Sequence, residues 1–198
     1  MSQQPLRVLA VIGSLNQHSI TRIVLLHVSE KLRSRGVEID VLDFTQEPLA
    51  LFNPDSAYAS VEFAALKRRV EAADVYLLGT PDYHGSMSGV MKNFLDHFWK
   101  EFAGKLFASV VSSHEKGLTV LDQLRTVARQ CYAWSLPYGV SFADKEDVRD
   151  GAVASDGLKN RLEMFAHDVR VYGQVIAQQR RADLDGSEPG FMARHRAK

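Results

Sequence analysis

Three short segments hold the residues whose types and spacing could do chemistry. The first, Gly13-Ser14-Leu15-Asn16-Gln17-His18-Ser19-Ile20-Thr21, leaves an apolar run and opens a helical pattern. A helix start has unpaired amides and the positive end of the helix dipole, which suits it to a phosphate. Ser14, Asn16, Ser19 and Thr21 add neutral donors for phosphate oxygens. Ordinary helix capping by Ser19 accounts for part of the same pattern, so the segment alone leaves both readings open.

The second segment is Gly79-Thr80-Pro81-Asp82-Tyr83-His84-Gly85-Ser86-Met87-Ser88-Gly89. Its glycines, proline and small hydroxyl residues let a backbone approach a flat ligand closely. Tyr83 can pack on a ring, and neighbouring amides can bond an edge rich in carbonyls and nitrogens. Packing of Tyr83 and His84 on their own domain is the plainer alternative. Asp82 and His84 lack a third ligand at metal spacing, which argues against a metal site. The third segment, Ser112-Ser113-His114-Glu115-Lys116-Gly117, follows a later apolar run.

The first segment also excludes several activities. It lacks GxGxxG, the dinucleotide-binding turn, and it lacks the Gly-Lys-Ser/Thr ending of a nucleotide P-loop. No cysteine precedes its helix, as a thiol phosphatase would need, and it carries no acidic pair of the receiver-domain kind.

The elements that must position these segments alternate. Leu6–Ile12, Val37–Leu42, Val75–Leu78, Leu106–Val111 and Trp134–Phe142 read as strands, the last broken by Pro137. Between them, Ile20-Val24-Val28-Leu32, Phe63-Leu66-Val70-Ala73, Val90-Phe94-Phe98-Phe102 and Leu121-Leu124-Ala128-Cys131 repeat at helical spacing. Leu158 to Ile176 closes the pattern with a fifth helix. Continuous apolar strands separated by helices predict an α/β fold: a doubly wound, five-stranded parallel sheet with helices on both faces. In such a sheet ligands bind beyond the carboxyl ends of the strands, where all three segments fall. Residues 44–60, with Pro48, Asn53 and Pro54, read as a long loop. A domain over residues 1–181 and a loosely ordered polar tail over 182–198 complete the expected organisation.

Composition narrows the class. Lysine plus arginine equals aspartate plus glutamate at 24 each, and the isoelectric point is near 7.1. No net field draws the chain to nucleic acid or an acidic membrane. One cysteine, Cys131, excludes an intrachain disulfide framework. The opening residues read as a strand rather than a signal peptide, and no apolar run spans a bilayer. A cytoplasmic protein is the expectation.

The pairing of GSLxxxSxT with PDYHGSMSGVMKNFLD resembles the NADPH-dependent FMN reductase family. Gly13, Ser14, Leu15, Ser19, Pro81, Tyr83, Gly89, Lys92, Asn93 and Asp96 match the family pattern, and the likeness reaches about residue 175. The departures are Asn16 where the family has Arg, Asp82 for Glu, His84 for Asn, and the bulkier residues 112–117 for a Gly-rich turn.

The resemblance implies a flavodoxin-like sheet of order 2-1-3-4-5. It implies an enzyme with FMN as cofactor and NADPH (or NADH) as reductant, passing hydride by a ping-pong route to a small-molecule acceptor: flavin, quinone, azo compound or metal oxyanion. Ser14, Leu15, Asn16, Ser19 and Thr21 would hold the phosphate end. Pro81, Asp82, Tyr83, His84, Gly85, Ser86, Ser113 and His114 would hold the ribityl chain and ring, with the flavin itself carrying the chemistry. His84 or His114 could donate to a reduced quinone oxygen, or serve as exposed loop residues without a chemical role. An electron carrier or a flavin-binding sensor is the alternative. The family's oligomeric habit, with the aromatic width of the 88–102 helix, leads to an expected homodimer or homotetramer through that helix, the alternative being a single wide core helix covered by the 44–60 loop.

Overall fold

The computed structural model describes residues 4–114, 116–144 and 146–196. Strand β1 (Arg7–Ile12) leads into helix α1 (Ile20–Arg33), and β2 (Glu38–Asp43) into α2 (Val61–Ala72). Next come β3 (Val75–Tyr83), a short β4 (Ser86–Met87) and α3 (Gly89–Asp96). They are followed by β5 (Leu106–Ser112), α4 (Leu118–Gln130), β6 (Trp134–Ser135) and β7 (Val140–Phe142). A small hairpin, β8 (Val148–Arg149) with β9 (Ala152–Val153), precedes α5 (Asp156–Asp185).

The sheet runs β2-β1-β3-β5, all parallel, and its fifth position is shared by β6 and β7, which both pair with β5. The expected fifth strand is therefore present in two pieces, parted around Pro137. Counted by position, the order is the anticipated 2-1-3-4-5. Alternate residues face opposite layers. Val8, Ala10 and Ile12 join α1 and α5 in one core, whereas Leu9 and Val11 join α2, α3 and α4 in the other. Ser19, Ser60, Ser88 and Ser155 cap four helices through their side chains.

Two expectations need correction. The third helix does not reach Phe102: it ends at Asp96, and a separate 3-10 turn covers Lys100–Phe102. The break lets Phe94, Phe98 and Phe102 all turn inward. Phe98 stacks on Phe63 at 5.5 Å, and Phe102 meets Phe107 at 5.1 Å and Tyr76 at 4.8 Å. Residues of the 44–60 loop cover the same cluster, with Phe52 against His97 at 5.1 Å. Asn93 pins that loop by accepting from the Phe52 amide at 2.7 Å and donating to the Ala50 carbonyl at 2.9 Å. The aromatic rows are thus consumed inside the chain, and their width gives no argument for a subunit interface.

The second correction concerns the tail. Helix α5 continues past Arg181 to Asp185, because Arg180 donates to the Ala103 carbonyl at 3.0 Å and Arg181 binds Asp74 at 2.9 Å. The chain then returns, buries Met192 and stacks Phe191 on Tyr132. Arg196 donates to the carbonyls of Asp183 and Glu188. The tail is therefore packed by the chain's own residues as far as Arg196. Among the described residues, no helix is long and apolar enough to cross a membrane.

At the opposite end of the sheet from the three segments lies a buried lysine. Lys105 donates to the carbonyls of Val70 and Glu71 at 2.9 and 2.8 Å and contacts the Tyr76 hydroxyl at 3.2 Å. Burial, reinforced by Arg180, lowers its pKa from 10.5 to about 7 against the pull of Asp74, Glu71 and Glu101. Below about pH 7 both folded and unfolded chains carry the proton, and the burial cost is present in full. Between about 7 and 10.5 only the unfolded chain holds it, so native stability rises with pH across that window. Urea titrations of wild type and Lys105→Met at several pH values check this. The gap should move in favour of wild type from pH 7 to 10; a constant gap would show that the lysine titrates normally.

Candidate functional site

The site begins with two glycines at the carboxyl edge of the sheet. The Gly13 amide donates to the Gly79 carbonyl at 2.7 Å, closing β1 onto β3. A Cβ on Gly13 would stand 2.9 Å from that oxygen and equally close to two atoms of Met91, so no side chain fits. Ser88 locks the junction. Its hydroxyl donates to the Gly13 carbonyl at 2.6 Å and accepts from the Met91 amide at 3.1 Å, and its own amide donates to Thr80 Oγ1 at 3.0 Å. Loop one, loop two and the start of α3 are held through one buried serine.

Within the first loop the chain folds on itself. Asn16 Oδ1 accepts from the His18 amide at 2.8 Å, and the Asn16 amide approaches Ser14 Oγ at 3.4 Å. Ser19 is the α1 cap, accepting from the Arg22 amide at 3.2 Å, while the Ile23 amide binds the Ser19 carbonyl. Neither bond uses the amides of Ile20 and Thr21, and both residues border a pocket of about 200 Å³. Ser14, Asn16 and Ser19 line it from the first loop, Pro81, Asp82 and Tyr83 from the second, and Ser113 and His114 from the third. Capping and pocket lining thus coincide at Ser19.

The second loop is a two-residue hairpin. β3 and β4 pair antiparallel, with Tyr83 opposite Ser86. His84 and Gly85 both have positive φ, 58° and 76°, as the tightest right-twisting turns require. Asp82 acts as a strut: Oδ1 accepts from the Gly85 amide at 2.8 Å, and Oδ2 accepts from Ser113 Oγ at 3.0 Å. Its carboxylate ties the second loop to the third. Gln123 of α4 braces the outer side, accepting from Ser86 Oγ and the Met87 amide at 3.1 and 3.2 Å and donating to the Gly85 carbonyl. That bracing crosses 37 positions of chain, so no local pattern announces it.

His84 and Gly85 line a second, larger cavity of about 1050 Å³, which shares Asp82, Ser113 and His114 with the smaller pocket. Its far wall is Ser141 and Phe142 of β7, with Asp147 and Arg161. Asp147 shapes that wall by accepting from the Ala143 amide at 3.0 Å and from Ser155 Oγ at 2.5 Å. Arg161 donates to the Ser141 carbonyl at 2.8 Å. Gly117, at φ 60°, precedes α4 with no side-chain cap, and it lines the cavity with Lys116, Leu118 and Thr119. His114 is exposed, and Glu115 lies outside the described residues.

Two of the sequence-predicted site residues stand apart from both spaces. Leu15 is 56% exposed and borders neither. Ser86 faces a groove on the other side of the hairpin, with Met87 and Gln123. Residues outside the sequence-predicted set also belong to the site: Ser141, Phe142, Asp147 and Arg161 in the wall of the larger cavity, Asp144 in the small pocket, Gln123 behind the hairpin and Arg22 beneath the first loop. Among the described residues, no three of His, Cys, Asp and Glu gather where they could hold a metal ion.

Removing the Ser88 hydroxyl should cost about 1–3 kcal/mol, because the Gly13 carbonyl and Met91 amide lose a buried partner. Denaturant unfolding of Ser88→Ala measures this, and an unchanged midpoint would show the junction to be held by packing alone.

Comparison with known proteins follows the geometry. The family described as NADPH-dependent FMN reductase matches residues 6–147. An FMN-dependent NADPH-azoreductase of Staphylococcus aureus is 28% identical over 154 residues, covering 72% of this chain and 79% of that protein. Among solved structures, the flavoenzyme NAD(P)H:(acceptor) oxidoreductase of Paracoccus denitrificans superposes with a TM-score of 0.71 at 22% identity, over 88% of this chain and 98% of that one. An apo NADH:FMN oxidoreductase gives 0.71 at 18%, over 84% and 89%. At these identities the solved structures speak to the fold, which is flavodoxin-like.

Proposed function

The chain belongs to the NADPH-dependent FMN reductase family, and from that membership we propose that it is an NAD(P)H-dependent reductase that seats FMN across two adjoining pockets. The observation that carries this reading is that the two pockets share a wall. A small pocket, lined by the neutral donors Ser14, Asn16, Ser19 and Thr21 and by Asp82 and Asp144, shares Asp82, Ser113 and His114 with a cavity of about 1050 Å³ at the switch point of the sheet.

The donor set fits the cofactor. Ser14, Asn16, Ser19 and Thr21, with the first-turn amides of α1, would hold the phosphate without a lysine or arginine. Pro81 to Gly85 would run beside the ribityl chain and one edge of the ring, where the hairpin is too stiffly braced by Asp82 and Gln123 to fold away. Ser113 and His114 would bound the ring from the third loop. Bound FMN supplies the redox chemistry, taking electrons from NAD(P)H and returning them to an acceptor.

The protein's part is placement. The shared cavity exposes one open space beside the hairpin, so reductant and acceptor would use it in turn. Asp82 is occupied by two hydrogen bonds within the protein, so it orients loops and is not the proton donor. His84 and His114 stand at the mouth, where either could hand a proton to a reduced acceptor oxygen. The family and the cavity's size support small acceptors such as flavins, quinones or azo compounds.

Purified protein reconstituted with FMN should show flavin absorption that bleaches on anaerobic addition of NADPH. Initial rates against NADPH at several acceptor concentrations should give parallel double-reciprocal lines; intersecting lines would exclude alternating use of one cavity. Asn16→Ala should weaken FMN binding about fivefold, the value of one neutral hydrogen bond of about 1 kcal/mol. Flavin fluorescence titration measures it, and unchanged affinity would remove Asn16 from the phosphate site.

A further inference from the structure

The cation nearest the first loop is turned away from the pocket. Arg22 occupies the first turn of α1, and its guanidinium lies underneath residues 16 and 17. Nε donates to Asp43 Oδ2 at 2.9 Å, and one terminal nitrogen donates to Asp43 Oδ1 at 3.1 Å and Thr45 Oγ1 at 3.2 Å. The other terminal nitrogen donates to the Asn16 carbonyl at 2.9 Å and reaches the Gln17 carbonyl at 3.4 Å. The guanidinium's donor directions are therefore used within the protein. The Arg22 and Asp43 side chains are only 18% and 17% exposed.

Asp43 is fitted to this task. It ends β2, directly beside Ile12 at the end of β1. The Thr45 amide and hydroxyl donate to its Oδ1 at 3.0 and 2.8 Å. Burial pushes its carboxyl pKa up, but Arg22 and Thr45 outweigh that and hold it below the usual value. The pair stays ionised and bidentate, the geometry that gives arginine its directional strength.

We propose that Arg22, anchored by Asp43, is a positioning residue for a phosphate monoester bound in the first loop; this rests on the FMN reading above. A peptide's N–H points opposite to the preceding carbonyl. Drawing the Asn16 and Gln17 carbonyls down to the guanidinium turns the amides of Gln17 and His18 the other way. The Ser19 amide also donates to the Asn16 carbonyl, at 3.2 Å, and the His18 amide holds Asn16 Oδ1, so the donor end of a side chain that lines the pocket is its NH₂ group. Where the resembling family uses an arginine on the loop, this chain has a neutral amide, and a neutral donor contributes only if its direction is fixed. Arg22 supplies direction, not charge.

The experiment compares FMN with riboflavin, which differ only in the phosphate. Dissociation constants for both come from fluorescence titration of the full-length protein, with folding followed by circular dichroism. Wild type should prefer FMN. Arg22→Ala should weaken FMN by up to about fivefold, the value of the donor it positions, while leaving riboflavin within about twofold. Arg22→Lys, which keeps the charge but loses the fork, should fall nearly as far. Asp43→Asn separates direction from charge: loss of the anchor should also weaken FMN selectively.

Tighter or unchanged FMN binding by Asp43→Asn would mean that a freed cation acts on the phosphate directly, and would overturn the proposal. Equal weakening of both flavins by every variant would reduce Arg22 to a fold-stabilising role and overturn it likewise. A wild type that binds both flavins equally would overturn the phosphate assignment and the clamp together. A wild type that prefers FMN beside an equally selective Arg22→Ala would overturn the clamp alone.

Discussion

Everything at the site hangs on how closely the chain at the end of β1 approaches the middle of β3. The Gly13 amide and Gly79 carbonyl meet at 2.7 Å, and on either side the space for a Cβ is already filled. On Gly79 a Cβ would press on Leu25 and Thr21 of α1, and on Gly13 it would press on Met91 of α3. Helices from opposite layers therefore close on the same point. That closure brings the start of α1 within reach of the second loop, and the small pocket is the gap left above it. Ser88 fixes the junction by satisfying a buried carbonyl and a helix amide together, a high-stakes arrangement in a dry interior.

From that junction rigidity spreads through polar struts rather than apolar packing. Asp82 joins the hairpin to the third loop, Gln123 braces the hairpin from α4, and Asp147 holds the wall behind the larger cavity. Loops that carry a binding site must be wetter than the core, so hydrogen bonds hold their shape. The same division explains the two ends of the molecule. The aromatic cluster around Phe98 and Phe102 stabilises a region remote from the pockets, where dense packing costs no access.

How much of this was legible beforehand follows the range of the interactions. The Ser19 cap and the strands' apolar runs are local and legible from neighbours a few positions apart, whereas the Ser88 cap and the positive-φ turn at His84-Gly85, though as local, stand outside the sequence reading. The third helix was overextended because Phe94, Phe98 and Phe102 keep helical spacing although the chain breaks after Asp96. Periodicity reports which residues are buried, not whether one helix buries them. The tail after Arg181 reads as polar and without periodicity, yet Met192 is buried and Arg196 reaches the carbonyls of Asp183 and Glu188.

The sequence by itself determined the doubly wound sheet, the phosphate-suited helix start and the family resemblance, because these depend on burial patterns and short motifs that the chain carries contiguously. Only the tertiary structure decided that Asp82 is a strut, that Gln123 braces the hairpin, and that Arg22 points down to Asp43 instead of into the pocket. Each of those roles depends on a partner 21 to 38 positions away. Side chains of identical type can bind, brace or titrate, and the choice is made by which elements the sheet brings together.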